Sequence, residues 1–232
     1  MPRSSEIPPI LAPFKAIFFD IDGTLVDSNE FHVLAWDEAF RQNGHSIPRA
    51  LLRKQIGKGA DVLIPALLPE ASKAHQLEIS DAHSRIFKSR YLSQVKPFPG
   101  AADLVRALHA NGRSVLLVSS SDEKEVEHYA KLLDIESSLD GTVRFDDVER
   151  TKPAGDLFHV ALRKSGVDAE GAVAVGDTPY DIEAASKCGI QTVALRSGGF
   201  ADEELSAIAS LGLFTDIGTL LGSAHGAKGV RH

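Results

Sequence analysis

Two aspartates stand two residues apart in Asp20-Ile21-Asp22-Gly23-Thr24-Leu25, directly after the apolar run Lys15–Phe19 (KAIFF). Carboxylates at that spacing can divide a reaction between them. Asp20 can attack phosphorus and form an acyl phosphate. Asp22 can give a proton to the leaving group and then take one from water. Gly23 permits a tight turn, and the backbone N–H groups of Gly23 and Thr24 are suited to phosphate oxygens. Further along, Ser119, Ser120 and Ser121 follow the apolar run Ser114–Val118 (SVLLV). Lys152 precedes Pro153, and Gly176-Asp177-Thr178 follows Ala172–Val175 (AVAV), with Asp181 four residues after Asp177. Ser119 can add a hydrogen bond, and Lys152 can balance charge on a transferring group. Crowded carboxylates repel one another unless a cation sits among them. Hard oxygen donors favour Mg²⁺, and Asp20, the backbone carbonyl of Asp22 and Asp177 could supply them. Taken singly, each feature has a plainer reading. Asp and Gly punctuate turns, a serine run caps a helix, and a lone lysine is usually solvated.

These residues act together only if the fold brings them to one edge. The runs KAIFF, SVLLV, AVAV and Gln191–Leu195 (QTVAL) are too short for helices and rich in β-branched residues, which predicts buried parallel strands. Between them lie helical patterns over Ala101–Ala110, Glu123–Leu133, Ala154–Ser165 and Tyr180–Lys187. Gly112, Gly166 and Gly189 follow three of these as C-terminal glycines. The alternation predicts an α/β protein with a doubly wound parallel sheet. In such sheets ligands bind at the carboxyl ends of the strands, which is where each chemical motif falls.

From Glu30 to Val95 the alternation stops. Phe31, Leu34, Ala35, Ala39 and Phe40 form one apolar stripe, and further stripes follow to Tyr91, with no strand pattern. The segment reads as a helical cap inserted after the first strand, a lid over the carboxyl edge. Lys96-Pro97-Phe98-Pro99-Gly100 returns the chain as a stiff hinge, because its prolines disfavour helix. The expected organisation is a flexible leader over 1–13, a core over 14–28 and 96–222, a cap over 29–95 and a flexible tail over 223–232.

The four motifs, in this order, resemble the haloacid dehalogenase-like hydrolase superfamily over roughly Lys15 to Leu221. The resemblance implies a Rossmann-like sheet of five or six strands with a four-helix-type cap. It implies that Asp20 is the nucleophile and Asp22 the acid and base. It implies that Asp177 holds Mg²⁺ with Asp20, that Asp181 orients the metal site, and that Ser119, the Ser120 amide and Lys152 bind the phosphoryl oxygens. An aspartate at position 22 sets the chain apart from the true dehalogenases and phosphonate-cleaving members, which lack it. The run Gln55-Ile56-Gly57-Lys58-Gly59-Ala60-Asp61-Val62-Leu63 looks like the cap loop of phosphoglycolate phosphatases, making Gly57 and Lys58 candidate substrate contacts. Arg196-Ser197-Gly198-Gly199-Phe200 is similar to the same group. Asp27-Ser28, with His32 and Ala35-Trp36, resembles β-phosphoglucomutase-like members instead. A mutase needs a second phosphate site, for which Arg53, Lys54 and Lys58 are available. They read more simply as a solvated basic face, so a phosphatase acting on a small phosphorylated metabolite is preferred to a mutase. A catalytically silent binding protein with the same fold is the remaining alternative.

The remaining features bound the function. A net charge of -7 argues against a nucleic-acid binder. Cys188 is the single cysteine, which excludes an intramolecular disulfide and reads as packing. No apolar stretch approaches the ~18 residues of a membrane span, and the proline-bearing start does not read as a secretory signal. A cytoplasmic monomer or homodimer is expected. Ser121 is expected to cap the helix that begins near Asp122. Trp36 is read as cap core, and His32 as a structural or surface residue.

Overall fold

The computed structural model describes residues 7–206 and 210–224. The described residues form eight strands: β1 (Ala16–Phe19), β2 (Val26–Asp27), β3 (Lys96–Pro97), β4 (Ser114–Val118), β5 (Gly141–Val143), β6 (Ala172–Gly176), β7 (Gln191–Leu195) and β8 (Ser210–Phe214). Six of them make one sheet in the order β5-β4-β1-β6-β7-β8, and every pairing in it is parallel. All four residues of β1 are buried, because the strand is paired on both edges and covered on both faces. Ala16 stands opposite Ser114 on one side and Ala172 on the other.

The faces follow the two-residue period of a strand. Ile17 and Phe19 join a core containing Leu104, Val105 and Leu108 of α5 (Ala101–Ala110). Ala16 and Phe18 pack on the opposite face with Leu157, Phe158 and Ala161 of α7 (Asp156–Ser165). Burying each phenylalanine contributes about 1.5–3 kcal/mol. A run without polar alternation therefore has one stable place, the middle of the sheet. From β1 the chain fills β4 and β5 on one side, then crosses to β6, β7 and β8 on the other. The carboxyl ends of β1, β4 and β6 thus flank the point where the winding reverses. β5 and β8 were not foreseen. β5 has three residues, each of the two contains a glycine (Gly141, Gly212), and each is mostly only partly buried, so neither carries the unbroken apolar run of a strand covered on both faces.

Between β2 and β3 lie α1 (Asn29–Gln42), α2 (Arg49–Arg53), α3 (Ala60–Leu67) and α4 (Lys73–Ile86), followed by a π-helical turn at Phe87–Tyr91. Phe40, Leu52, Leu63, Ile79 and Phe87 are fully buried within this helical unit. The chain enters and leaves it through an antiparallel ribbon in which Val26 faces Pro97 and Asp27 faces Lys96. The proline-bearing return is therefore a short edge strand, where a missing N–H costs little. No helix among the described residues is long and apolar enough to cross a membrane.

Residues 7–13 correct one expectation. They fold onto the core instead of forming a flexible leader. Leu11 is fully buried, and the Arg113 guanidinium donates to the Ala12 carbonyl at 2.8 Å. Burial of Leu11, packing of Ile7 and Ile10 on the same core and the stiffness of the prolines together oppose the entropy of ordering this turn. The expectations for residues 1–6 and for the tail from 225 onward lie outside the described residues.

Candidate active site

Asp20 continues the line of β1, its N–H donating to the Val175 carbonyl at 2.9 Å. The next turn is built around Asp177. Gly23 has φ +77°, and a Cβ there would strike the Asp177 carboxylate and the Asn29 amide. A Cβ on Gly198 would strike the same carboxylate and the Asp177 backbone carbonyl. Thr24 Oγ1 donates to Asp177 Oδ1 at 2.9 Å and Asn29 Nδ2 to Oδ2 at 3.0 Å. The Thr24 side chain, expected near substrate, is thus fully buried and holds Asp177.

Asp181 sits in the first turn of α8 (Pro179–Ser186), in a capping box with Thr178. Its Oδ2 accepts from the Thr178 amide at 3.1 Å and hydroxyl at 2.6 Å. Its other oxygen faces Lys152. The Lys152 ammonium bridges Asp20 Oδ1 (2.5 Å), Asp181 Oδ1 (2.7 Å) and the Val118 carbonyl (2.8 Å). It is 0% exposed, so the plain reading of a solvated lysine does not hold. Burial works to discharge it, but Asp181 and Asp20 raise its pKa above the ordinary value. One lysine thereby joins the ends of β1 and β4 to the first turn of α8, the helix that follows β6.

The carboxylates of Asp20, Asp177 and Asp181 offer oxygens that all lie within 4.8 Å of one another. All three residues are buried. Burial pushes the Asp20 carboxyl up to about 7 against the opposing pull of Lys152. Burial, then the Asp20 and Asp181 charges, raises Asp177 well above the carboxylate range. Three acids around one ammonium are short of positive charge, and an all-oxygen set of this kind fits a hard divalent cation. Asp22 contributes no carboxylate to the set.

Asp22 instead accepts from Ser28 Oγ at 2.5 Å and Ser121 Oγ at 2.8 Å, and meets His32 Nε2 at 3.1 Å. Burial would raise its pKa, but the His32 charge and these hydrogen bonds hold it down at about 2. His32 corrects the sequence reading, because it faces the site from α1. Its ring stacks on Phe87 with centroids 3.8 Å apart, and its Nδ1 meets His83 Nε2 at 3.3 Å. Burial lowers its proton affinity, but Asp22 more than restores it, so its pKa is raised. His83 stacks on Trp36 at 3.8 Å, and burial and the His32 charge hold its pKa well below the ordinary value. Trp36 is buried as expected of cap core and also lines the site. Ser121 likewise does not cap α6 (Glu123–Leu133). Asp122 does, accepting from the Glu125 amide at 3.1 Å, which leaves the Ser121 hydroxyl for Asp22.

A cavity of about 260 Å³ opens above these groups. Asp20, Asp22, Ser119, Ser120, Gly57 and Lys58 line it, while Lys152, Asp177 and Asp181 lie outside its lining. The cap loop is fastened to the core around its rim. Ser120 Oγ donates to the Gly57 carbonyl at 3.3 Å. The Thr151 hydroxyl accepts from the Gly59 amide at 3.0 Å and donates to Asp61 Oδ1 at 2.5 Å. Asp61 Oδ2 also accepts from the Thr151 amide at 3.0 Å. The Lys58 ammonium donates to Gln55 Oε1 at 2.6 Å and sits 4.4 Å from the Tyr180 ring centre. Arg53 pairs with Glu30 and Lys54 with Glu204, and neither lines the cavity. Sequence reading missed His83, Thr151 and Glu125. His83 and Glu125 carry no motif, and Thr151 gave only its place beside Lys152.

Residues 14–189 match the family model for haloacid dehalogenase-like hydrolases. The chain is 31% identical over 196 residues to a phosphoglycolate phosphatase of Yersinia pestis, covering 81% of this chain and 84% of that protein. It is 25% identical over 215 residues to a phosphoglycolate phosphatase of Rhodospirillum rubrum, covering 89% of each. The solved structure of a hydrolase from Pseudomonas syringae has a TM-score of 0.85 at 28% identity, covering 90% of this chain and 97% of that one.

Proposed function

The chain belongs to the haloacid dehalogenase-like hydrolase family, and from that premise we propose that it is a phosphatase that hydrolyses a small phosphorylated metabolite through an aspartyl phosphate on Asp20. The observation that carries this reading is the buried Lys152 bridge between Asp20 and Asp181, beside a third carboxylate and below the cavity that Asp20 lines. A phosphoryl group placed there would meet the Asp20 oxygens, the Ser119 hydroxyl and the Ser120 amide, with the Lys152 ammonium behind Asp20.

In the first step an Asp20 oxygen bonds to phosphorus and the bond from phosphorus to the substrate alcohol breaks. Asp22 gives the departing oxygen its proton. Before substrate arrives Asp22 is ionised, and an incoming phosphoryl anion raises its proton affinity. His32, in contact at 3.1 Å, supplies that proton. In the second step Asp22 takes a proton from water. The water oxygen bonds to phosphorus, the bond to Asp20 breaks, and phosphate leaves. Asp20 and Asp177, with Asp181 behind them, would hold Mg²⁺, which neutralises charge on the phosphoryl oxygens when bound. The Lys152 ammonium opposes the effect of burial on Asp20 and so favours the ionised form that attacks.

A mutase is less well supported, because Arg53 and Lys54 are paired at the surface and the Lys58 ammonium is engaged by Gln55 and Tyr180. The names of the relatives make 2-phosphoglycolate one substrate to try, and sugar phosphates are the other class. A cytoplasmic monomer or homodimer is our working description. Release of inorganic phosphate from a metabolite panel, with Mg²⁺ and after chelation, tests the reading. Asp20→Asn should abolish release, and turnover that survives this change would sink the reading.

A further inference from the structure

The part of the cavity beyond Asp20 and Asp22 must receive the rest of the substrate, and it is acidic. Asp81 on α4 and Asp122, Glu125 and Asp146 on the core line it. Lys58 is the one lysine in the lining among the described residues, and its ammonium is already engaged by Gln55 and the Tyr180 ring. His32 is committed to Asp22. Asp122 is itself paired with Lys88, which lies outside the lining.

Glu125 is the informative member. It is 4% exposed and it lines the cavity. No hydrogen bond to its carboxylate is formed among the described residues, and Lys88 approaches it only to 3.9 Å. Burial pushes its carboxyl up to about 7, with Asp122 adding to the rise and His32 opposing it. Facing the cavity and without a donor among the described residues, this carboxylate gains from a donor brought in by whatever enters. A hydroxyl or an ammonium on the substrate would do so. A carboxylate would bring another negative charge into a wall that already holds four acids.

We propose that the cavity selects phosphomonoesters whose alcohol carries hydrogen-bond donors and no carboxylate, with Glu125 as the side chain that accepts from those donors. Polyol, sugar and aminoalcohol phosphates share this chemistry. The proposal rests on the phosphatase reading and sharpens it, because it disfavours 2-phosphoglycolate.

The test compares kcat/KM of the full chain with Mg²⁺ on glycerol 1-phosphate, a hexose phosphate, phosphoethanolamine, 2-phosphoglycolate, 3-phosphoglycerate and 4-nitrophenyl phosphate. Like charges a few ångströms apart in a partly screened site repel by more than 1.4 kcal/mol, so the best donor-bearing substrate should exceed both carboxylates by at least about tenfold. The relative rates of polyol and amine distinguish the two sources of donor. Glu125→Gln keeps the shape and an acceptor oxygen but removes the charge. It should narrow the ratio to 2-phosphoglycolate and weaken phosphoethanolamine more than the polyol. If 2-phosphoglycolate equals or exceeds every donor-bearing substrate in the unsubstituted enzyme, the proposal is overturned, whether or not the variant folds. An unchanged ratio in a folded Glu125→Gln enzyme would remove Glu125 from the role. No phosphate from any substrate, 4-nitrophenyl phosphate included, sinks the phosphatase reading and the selectivity with it.

Discussion

Replacing Glu125 with glutamine should stabilise the free protein, and only above mildly acidic pH. Burial lifts the carboxyl from 4.5 to about 7 in the folded state. Below the lower value both folded and unfolded chains hold the proton, so Glu125 contributes no pH dependence. As pH rises through this window the unfolded chain releases the proton first, and stability falls. Above the higher value the folded chain carries a buried, poorly compensated charge. At about 1.4 kcal/mol for each pH unit between the two values, the full cost is ~3 kcal/mol. Glutamine has no such charge. The gain of Glu125→Gln over the unsubstituted protein should therefore be small at pH 5 and approach ~3 kcal/mol at pH 8. Urea unfolding at a series of pH values, with chelator present to remove metal, measures it. A gain that stays flat with pH, or an unsubstituted protein that becomes relatively more stable as pH rises, would refute the argument from burial.

Thr151→Val removes the hydroxyl that joins Gly59 to Asp61 and leaves the backbone contact. Loss of about 1–2 kcal/mol of loop docking should raise KM roughly five- to thirtyfold, read in steady-state kinetics, and an unchanged KM would count against a role for the loop in holding substrate. Gly23→Ala forces a side chain onto the Asp177 carboxylate at φ +77°. It should cost at least ~1–2 kcal/mol in stability from the backbone alone and abolish the rise in Tm that Mg²⁺ gives the unsubstituted protein; a preserved Mg²⁺ shift would contradict the cradle.

The centre of the fold was legible because KAIFF and AVAV lack polar alternation and so fit only a strand covered on both faces. The helical insertion was legible from its stripes. The outer strands were not, since Gly141 opens the three-residue β5, Gly212 interrupts β8, and both segments are mostly only partly buried, so their pairing is decided by their neighbours. At the site, the aspartates and Lys152 announce themselves by spacing. What they touch does not. The burial of Lys152 depends on three strands ending together, and the turning of Thr24 onto Asp177 depends on a contact 153 positions away in the chain. His32 and Ser121 were misread for one reason. Each has a local role available in sequence, surface helix or cap, and each is claimed instead by Asp22, which only the folded chain brings near.

Thr151 stands at a junction. Its hydroxyl and amide grip the cap loop through Gly59 and Asp61, and the next residue along the chain is Lys152, whose ammonium touches Asp20. Lifting the loop must break those contacts on the immediate neighbour of that lysine. Two consecutive residues thus hold the cap loop and the charge beside Asp20. A change at position 151 therefore acts at once on the cap loop's anchorage and on the residue next to the lysine that touches Asp20.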